Sequence, residues 1–177
     1  MTNPSESGTR ASEETAPEPK GPSTLMGRTE IRALSQRLAD QPRRELLIFS
    51  VDLDPDCYDQ IPFIEALRRL CLGSPHLSVR ILLADPQAAV LKGHRLIALA
   101  RQLTSRIAIR RLAEDFKDRQ DAFLIADGRG YCLRRLAQAP EAVVDLDGPR
   151  EARLLRAEFE QMWERGDEDP ELRRLFL

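Results

Sequence analysis

Two apolar runs with a helix between them limit what this chain can become. Residues 46–51, Leu-Leu-Ile-Phe-Ser-Val, and residues 77–84, Leu-Ser-Val-Arg-Ile-Leu-Leu-Ala, are of strand length and nearly continuous in apolar character. That is the pattern of strands covered on both faces. Between them Ile61, Ile64, Leu67, Leu70 and Cys71 recur at helical spacing, and Gly73, Ser74 and Pro75 stop the helix. Strand, helix and strand in that order give a parallel crossover, right-handed by default.

The remaining pattern extends this unit. Amphipathic helices are predicted over residues 28–40, with Ile31, Leu34 and Leu38 on one stripe, and over 87–105, with Leu96, Leu99 and Leu103 inside. A short strand at 107–111 and a polar stretch at 113–119 precede an apolar strand at 122–126. Asp-Gly-Arg-Gly at 127–130 is a tight hairpin turn into Tyr131, Cys132 and Leu133, so those two strands are antiparallel. After a strand at 143–146, Asp147-Gly148-Pro149 starts a helix that buries Ala152, Leu155, Phe159 and Met162 or Trp163 and stops near Gly166. Residues 170–177 are read as a last helical turn. The expected fold class is α/β, a mixed, mostly parallel sheet with helices on both faces. Residues 1–24, rich in Ser, Thr, Glu and Pro and without an aromatic or branched aliphatic residue, are expected to be a disordered tail, and residues 25–177 a single domain.

Composition narrows the function classes. A net charge of -2 with 32% charged residues leaves no overall basic excess, so nucleic-acid binding needs a local patch. Lysine occurs only at Lys20, Lys92 and Lys117, while arginines are spread along every segment. That spread fits a GC-rich coding bias better than a designed set of phosphate forks. Three cysteines, Cys57, Cys71 and Cys132, with no CxxC pair, indicate neither a disulfide framework nor a metal site. The polar N-terminus lacks the apolar core of a signal peptide and no run is long enough to span a bilayer, which leads to a cytoplasmic expectation. Phosphate loops and dinucleotide fingerprints are absent, and no cofactor is implied.

Residues 120–128, Gln-Asp-Ala-Phe-Leu-Ile-Ala-Asp-Gly, form a buried strand with polar residues at its entrance and an Asp-Gly turn at its exit. This strand, together with Arg-Glu-Leu-Leu-Ile-Phe-Ser from Arg44, Phe-Ile-Glu-Ala-Leu-Arg-Arg-Leu from Phe63, Ser-Val-Arg-Ile-Leu-Leu-Ala-Asp from Ser78 and Phe-Glu-Gln-Met-Trp from Phe159, resembles a phospholipase D-like (HKD superfamily) domain of bacterial type over roughly residues 43–165. The resemblance implies that family's sandwich fold and its pairing of two motif copies, within one chain or in a homodimer. It also implies a motif of His, Lys two residues later and Asp five beyond, in which the His is the phosphoryl-accepting nucleophile and the Lys holds phosphate oxygens. At those positions this sequence has Gln120, Ala122 and Asp127. Covalent phosphoryl transfer needs an imidazole nucleophile and a cation, and neither Gln120 nor Ala122 supplies one. The resemblance therefore implies a non-catalytic binding or assembly module; Gln120, Asp121 and Asp127 on this strand, and Arg134 from the arginine run beyond it, are the candidate contacts for an anionic ligand.

Two other readings stay open at this point. An enzyme acting on a phosphorylated small molecule could use His94, at a predicted helix start with Lys92 and Arg95 beside it, as a base and anion site, or use the Asp52 and Asp54 strand exit. The bland alternatives are a solvated histidine cap and a solvated, helix-capping loop. A nucleic-acid accessory module would need Arg106, Arg110, Arg111, Arg119, Arg129, Arg134 and Arg135 to converge. Their bland alternative is pairing with Glu114, Asp115 and Asp118.

Overall fold

The structure is a computed structural model, described here for residues 21–173. In chain order the elements are β1 (Ser23–Met26), α1 (Arg28–Asp40), β2 (Glu45–Ser50), α2 (Pro55–Tyr58), α3 (Ile61–Gly73), β3 (Ser78–Leu83), α4 (Pro86–Leu91), α5 (Arg95–Gln102), β4 (Ile107–Arg111), β5 (Ala122–Ala126), β6 (Gly130–Arg134), β7 (Glu141–Asp145), α6 (Pro149–Arg165) and α7 (Pro170–Arg173). All strands join one sheet in the order β1-β7-β6-β5-β2-β3-β4. Leu46 and Ile48 of β2 face a core shared with α1, α3 and α5, whereas Leu47 and Phe49 face a second core under α6. The apolar run at 46–51 thus marks a strand covered on both sides.

The sheet is mixed, as expected, but not mostly parallel. Only β2–β3 and β3–β4 pair parallel; β1–β7, β7–β6, β6–β5 and β5–β2 pair antiparallel. Connection length explains the balance. A parallel return needs about a dozen residues or more, and only three residues, 127–129, separate β5 from β6. The turn itself is of the primed hairpin type, with Asp127 at φ 52 and Gly128 at φ 62.

Two boundaries differ from the sequence expectation. β1 begins at Ser23, inside the stretch expected to be a disordered tail, because Ser23 and Thr24 pair with Val144 and Val143 of β7. Such an edge strand is held through its backbone, so composition gives no sign of it. The rest of that stretch, residues 1–20, lies outside the described residues. The helix expected over 87–105 is two helices, α4 and α5, because Gly93 takes φ 65 between them and redirects the chain. Among the described residues no helix is long and apolar enough to cross a membrane.

α6 closes the second core by burying Ala152, Leu155, Phe159 and Met162. Phe159 stacks on Trp163 with centroids 5.7 Å apart and meets Phe123 edge-on at 6.5 Å. Arg80 of β3 lies 5.5 Å from both the Phe159 and Trp163 ring centres and donates to Glu160 at 2.6 and 2.8 Å and to Glu45 at 2.9 Å. The Arg80 hydrogen bond holds the Glu160 carboxyl below its ordinary 4.5. A carboxylate with a depressed pKa stabilises the fold fully above its unfolded value, and that contribution is lost as pH falls through the depressed one.

Phe159→Ala should lower the unfolding free energy in urea by about 3–5 kcal/mol, the range for a large buried aromatic. Glu160→Gln should cost about 0.5–1 kcal/mol at pH 7, since the pair is partly solvated. Urea midpoints recorded from pH 7 to 3 should fall less steeply in Glu160→Gln than in the parent chain.

Candidate functional site

The candidate residues gather at one edge of the sheet. β2, β3, β4 and β6 run one way and β5 the other, so the exits of the first four meet the entrance of β5 there. Gln120 stands exposed at that entrance, and its carbonyl accepts a 2.7 Å bond from the Ala137 N–H. Together with Val51, Arg119 and residues 136–139 it lines an open groove of about 490 Å3. Asp121 is engaged by Arg119, whose Nε and Nη2 donate to its carboxylate at 2.9 and 2.6 Å. The same guanidinium donates to Glu158 at 2.9 Å and lies 5.3 Å from the Phe49 ring centre. The cation nearest Gln120 is therefore already neutralised by two carboxylates.

Ala122 is buried and sits directly across from Arg134 in the β5–β6 ladder, so both point to one face of the sheet. Arg134 is only 5% exposed. Its Nη1 donates to Asp54, its Nη2 to the Ala139 carbonyl at 3.1 Å, and its Nε has no partner. Asp54 also caps α2 by accepting the Asp56 N–H at 3.0 Å. The two nearby thiols are inert: burial, reinforced by Asp54, pushes Cys57 up to about 12, and burial pushes Cys132 up to about 11.

His94 is buried, not the exposed cap expected. Its Nδ1 accepts the Leu96 N–H at 3.1 Å, which fixes the proton on Nε2, and Nε2 donates to the Leu53 carbonyl at 2.9 Å. Leu53 itself is fully buried at φ 59, the left-handed region, with its N–H donating to Ser50 Oγ at 3.0 Å. Burial lowers the His94 pKa below its ordinary 6.5; Asp59, the Leu53 carbonyl and Asp52 oppose that shift and Arg95 adds to it. The anion site expected at this helix start is filled by the chain's own Asp59, which accepts the Arg95 N–H at 2.8 Å. Lys92 is exposed at the end of α4, and Asp52 is half-buried beside His94 without lining the groove. Gln120, His94 and Asp52 thus share an edge of the sheet, but neither His94 nor Asp52 lines the groove at Gln120.

Asp127 lies at the other end of β5. Its carboxylate accepts the N–H groups of Arg43, Arg44 and Glu45, each at 2.9 Å, and so fixes the entry of β2. The seven arginines do not all converge. Arg106 and Arg129 sit at the opposite edge, bonded to the Pro75 carbonyl and to Asp147, and Arg110 donates to the Trp163 carbonyl at 2.8 Å. Their partners are not the expected set, since Glu114 takes Lys117 and Asp115 takes Arg165.

A family described as domain of unknown function (DUF7931) matches residues 27–175. The chain belongs to that family. A comparison with curated proteins finds no match. Among solved structures, the chain is similar to Nuc, a phospholipase D family member from Salmonella typhimurium, at 21% identity and TM-score 0.56, over 84% of this chain and 99% of that one. NucT from Helicobacter pylori is matched at 11% identity and TM-score 0.56, over 84% and 99%. TrmBL2, an archaeal chromatin protein, is matched at 16% identity and TM-score 0.62, over 88% of this chain. The chain spans 57% of the TrmBL2 chain's length. These likenesses show a phospholipase D-like fold.

What the sequence did not reveal is the Arg134–Asp54 pair and the 136–139 wall of the groove. Half of it could be counted: a hairpin turning at Asp127–Gly128 sets Ala122 opposite Arg134. The approach of Asp54 from the β2 exit has no local signal. Asp127→Ala should leave three backbone donors without their acceptor and lower the unfolding free energy by about 1–3 kcal/mol in urea titrations, with Asp127→Asn between the two.

Proposed function

We propose that this chain is a degenerate phospholipase D-like domain that acts as a non-catalytic binding or assembly module through the groove at Gln120. The observation that carries the reading is the pairing opposite Ala122. Where the motif of that fold would set a cation to hold a phosphate, the buried cation is Arg134, and its counter-ion is the chain's own Asp54. Gln120 offers an amide in place of an imidazole. Arg119 is committed to Asp121 and Glu158, so the groove presents neutral amides from Gln120 and Gln138 among Val51, Leu136, Ala137 and Ala139, a surface that does not call for an anionic ligand. The hydrolase alternative loses its geometric basis, because His94 has both ring nitrogens engaged and does not line the groove at Gln120.

A second reading, a nucleic-acid accessory module, is favoured by the likeness to TrmBL2, whose structure shows a mode of DNA binding. The paired and dispersed arginines weigh against it.

The purified chain should hydrolyse bis(p-nitrophenyl) phosphate no faster than buffer, from pH 5 to 8. Turnover in the unmodified chain that Gln120→Ala abolishes would overturn the non-catalytic reading. A gel shift with single- and double-stranded oligonucleotides at 50 mM salt should show no complex at micromolar protein, and a complex that weakens steeply with added salt would promote the second reading. The assembly half predicts a pair of copies in sedimentation at micromolar concentration, and a strict monomer removes it.

A further inference from the structure

We infer that His94 is a pH-sensitive latch on the groove: uncharged, it holds the 51–54 loop in place, and charged, it releases that loop and loosens the groove wall. The inference goes beyond the binding role, and its test needs no ligand.

The geometry is a continuous chain of contacts. His94 reaches the Leu53 carbonyl through Nε2, and Leu53 is kept in the left-handed region by that bond and by Ser50 Oγ. Asp54, the next residue, holds Arg134, and Arg134 holds the Ala139 carbonyl in the groove wall. Arg28 ties the same pieces together from outside, donating to Asp56 and to the Gln138 carbonyl. A left-handed non-glycine residue relaxes once the bonds that impose it are gone. The device has a defined tautomer, because Nδ1 must accept from the Leu96 N–H to cap α5. A proton on Nδ1 sets two donors face to face and removes that cap.

The charged groups that face His94 are few. Asp59 lies 3.8 Å from Nδ1, but its carboxylate already accepts the Arg95 N–H and pairs with the Arg95 guanidinium at 3.6 Å. Asp52 favours the charged ring and Arg95 opposes it, and the net direction is set by burial. The sign follows. Because the folded state prefers the neutral ring, the latch is fully closed above the ordinary 6.5 and weakens as pH falls below it.

Hydrogen exchange on the full chain at pH 7.5 and 5.0, expressed as protection factors, tests this. The amides of Leu53 and Asp56 and those at 136–139 should lose protection by about fivefold or more at pH 5.0, while β5 and β6 keep theirs. His94→Asn retains an N-cap acceptor but cannot titrate, so the loss should vanish in that variant. Should His94→Asn fail to fold, ring resonances of the parent chain give the same answer, with exposed His76 as internal reference. An His94 ring that titrates without moving the Leu53 and Ala139 amide resonances overturns the latch, as does a protection loss identical in parent and His94→Asn.

Discussion

Everything in this fold leans on β2. It is buried on both faces, and it is the seam where the parallel half of the sheet, β3 and β4, meets the antiparallel half that begins with β5. A strand in that position must be apolar on alternate and intervening residues alike, which is why residues 46–49 are all fully buried. Its two ends carry the polar duties. At its entry three backbone N–H groups are gathered by Asp127, and at its exit the chain bends through left-handed Leu53 into Asp54. A single strand thereby couples the hairpin turn to the site edge.

The charge pattern at that edge is one of internal satisfaction. Arg119 and Arg134 each find carboxylates within the chain, and Asp59 fills the start of α5; away from that edge, Arg80 is divided between Glu45 and Glu160 beneath an aromatic pair. A phosphate-binding site needs the opposite, donors held in place with no acceptor of their own. The open groove around Gln120 is lined, Arg119 apart, by neutral side chains. The fold is like that of Nuc, a phospholipase D family member, and at this edge the cations Arg119 and Arg134 are held by the chain's own carboxylates.

Much of this architecture was legible in the sequence because it rests on local period and turn chemistry. The apolar runs at 46–51 and 77–84, the Asp127–Gly128 turn and the Gly148-Pro149 helix start each specify their own element. The parallel bias was misread because two central strands say nothing about how the rest of the sheet returns; short connections decide that. Ser23 and Thr24 were misplaced because an edge strand is recruited by its neighbour's backbone. His94 was read as solvated because burial of a polar residue depends on who covers it, and here the cover is Leu53, forty-one residues earlier in sequence. Asp127, offered as a ligand contact, has its carboxylate taken up by the N–H groups of Arg43, Arg44 and Glu45; its place before a glycine marked the turn but not those distant donors.

The buried Arg134–Asp54 pair constrains what the sheet can carry beside it. Removing one member leaves a buried, uncompensated charge, which costs about 3–5 kcal/mol, whereas losing both together can be nearly neutral. A lysine at position 122 would place a second cation on the same face as Arg134, directly across the ladder. Like charges opposed across strands destabilise the sheet, and relief would require Asp54 to serve two cations while also capping α2.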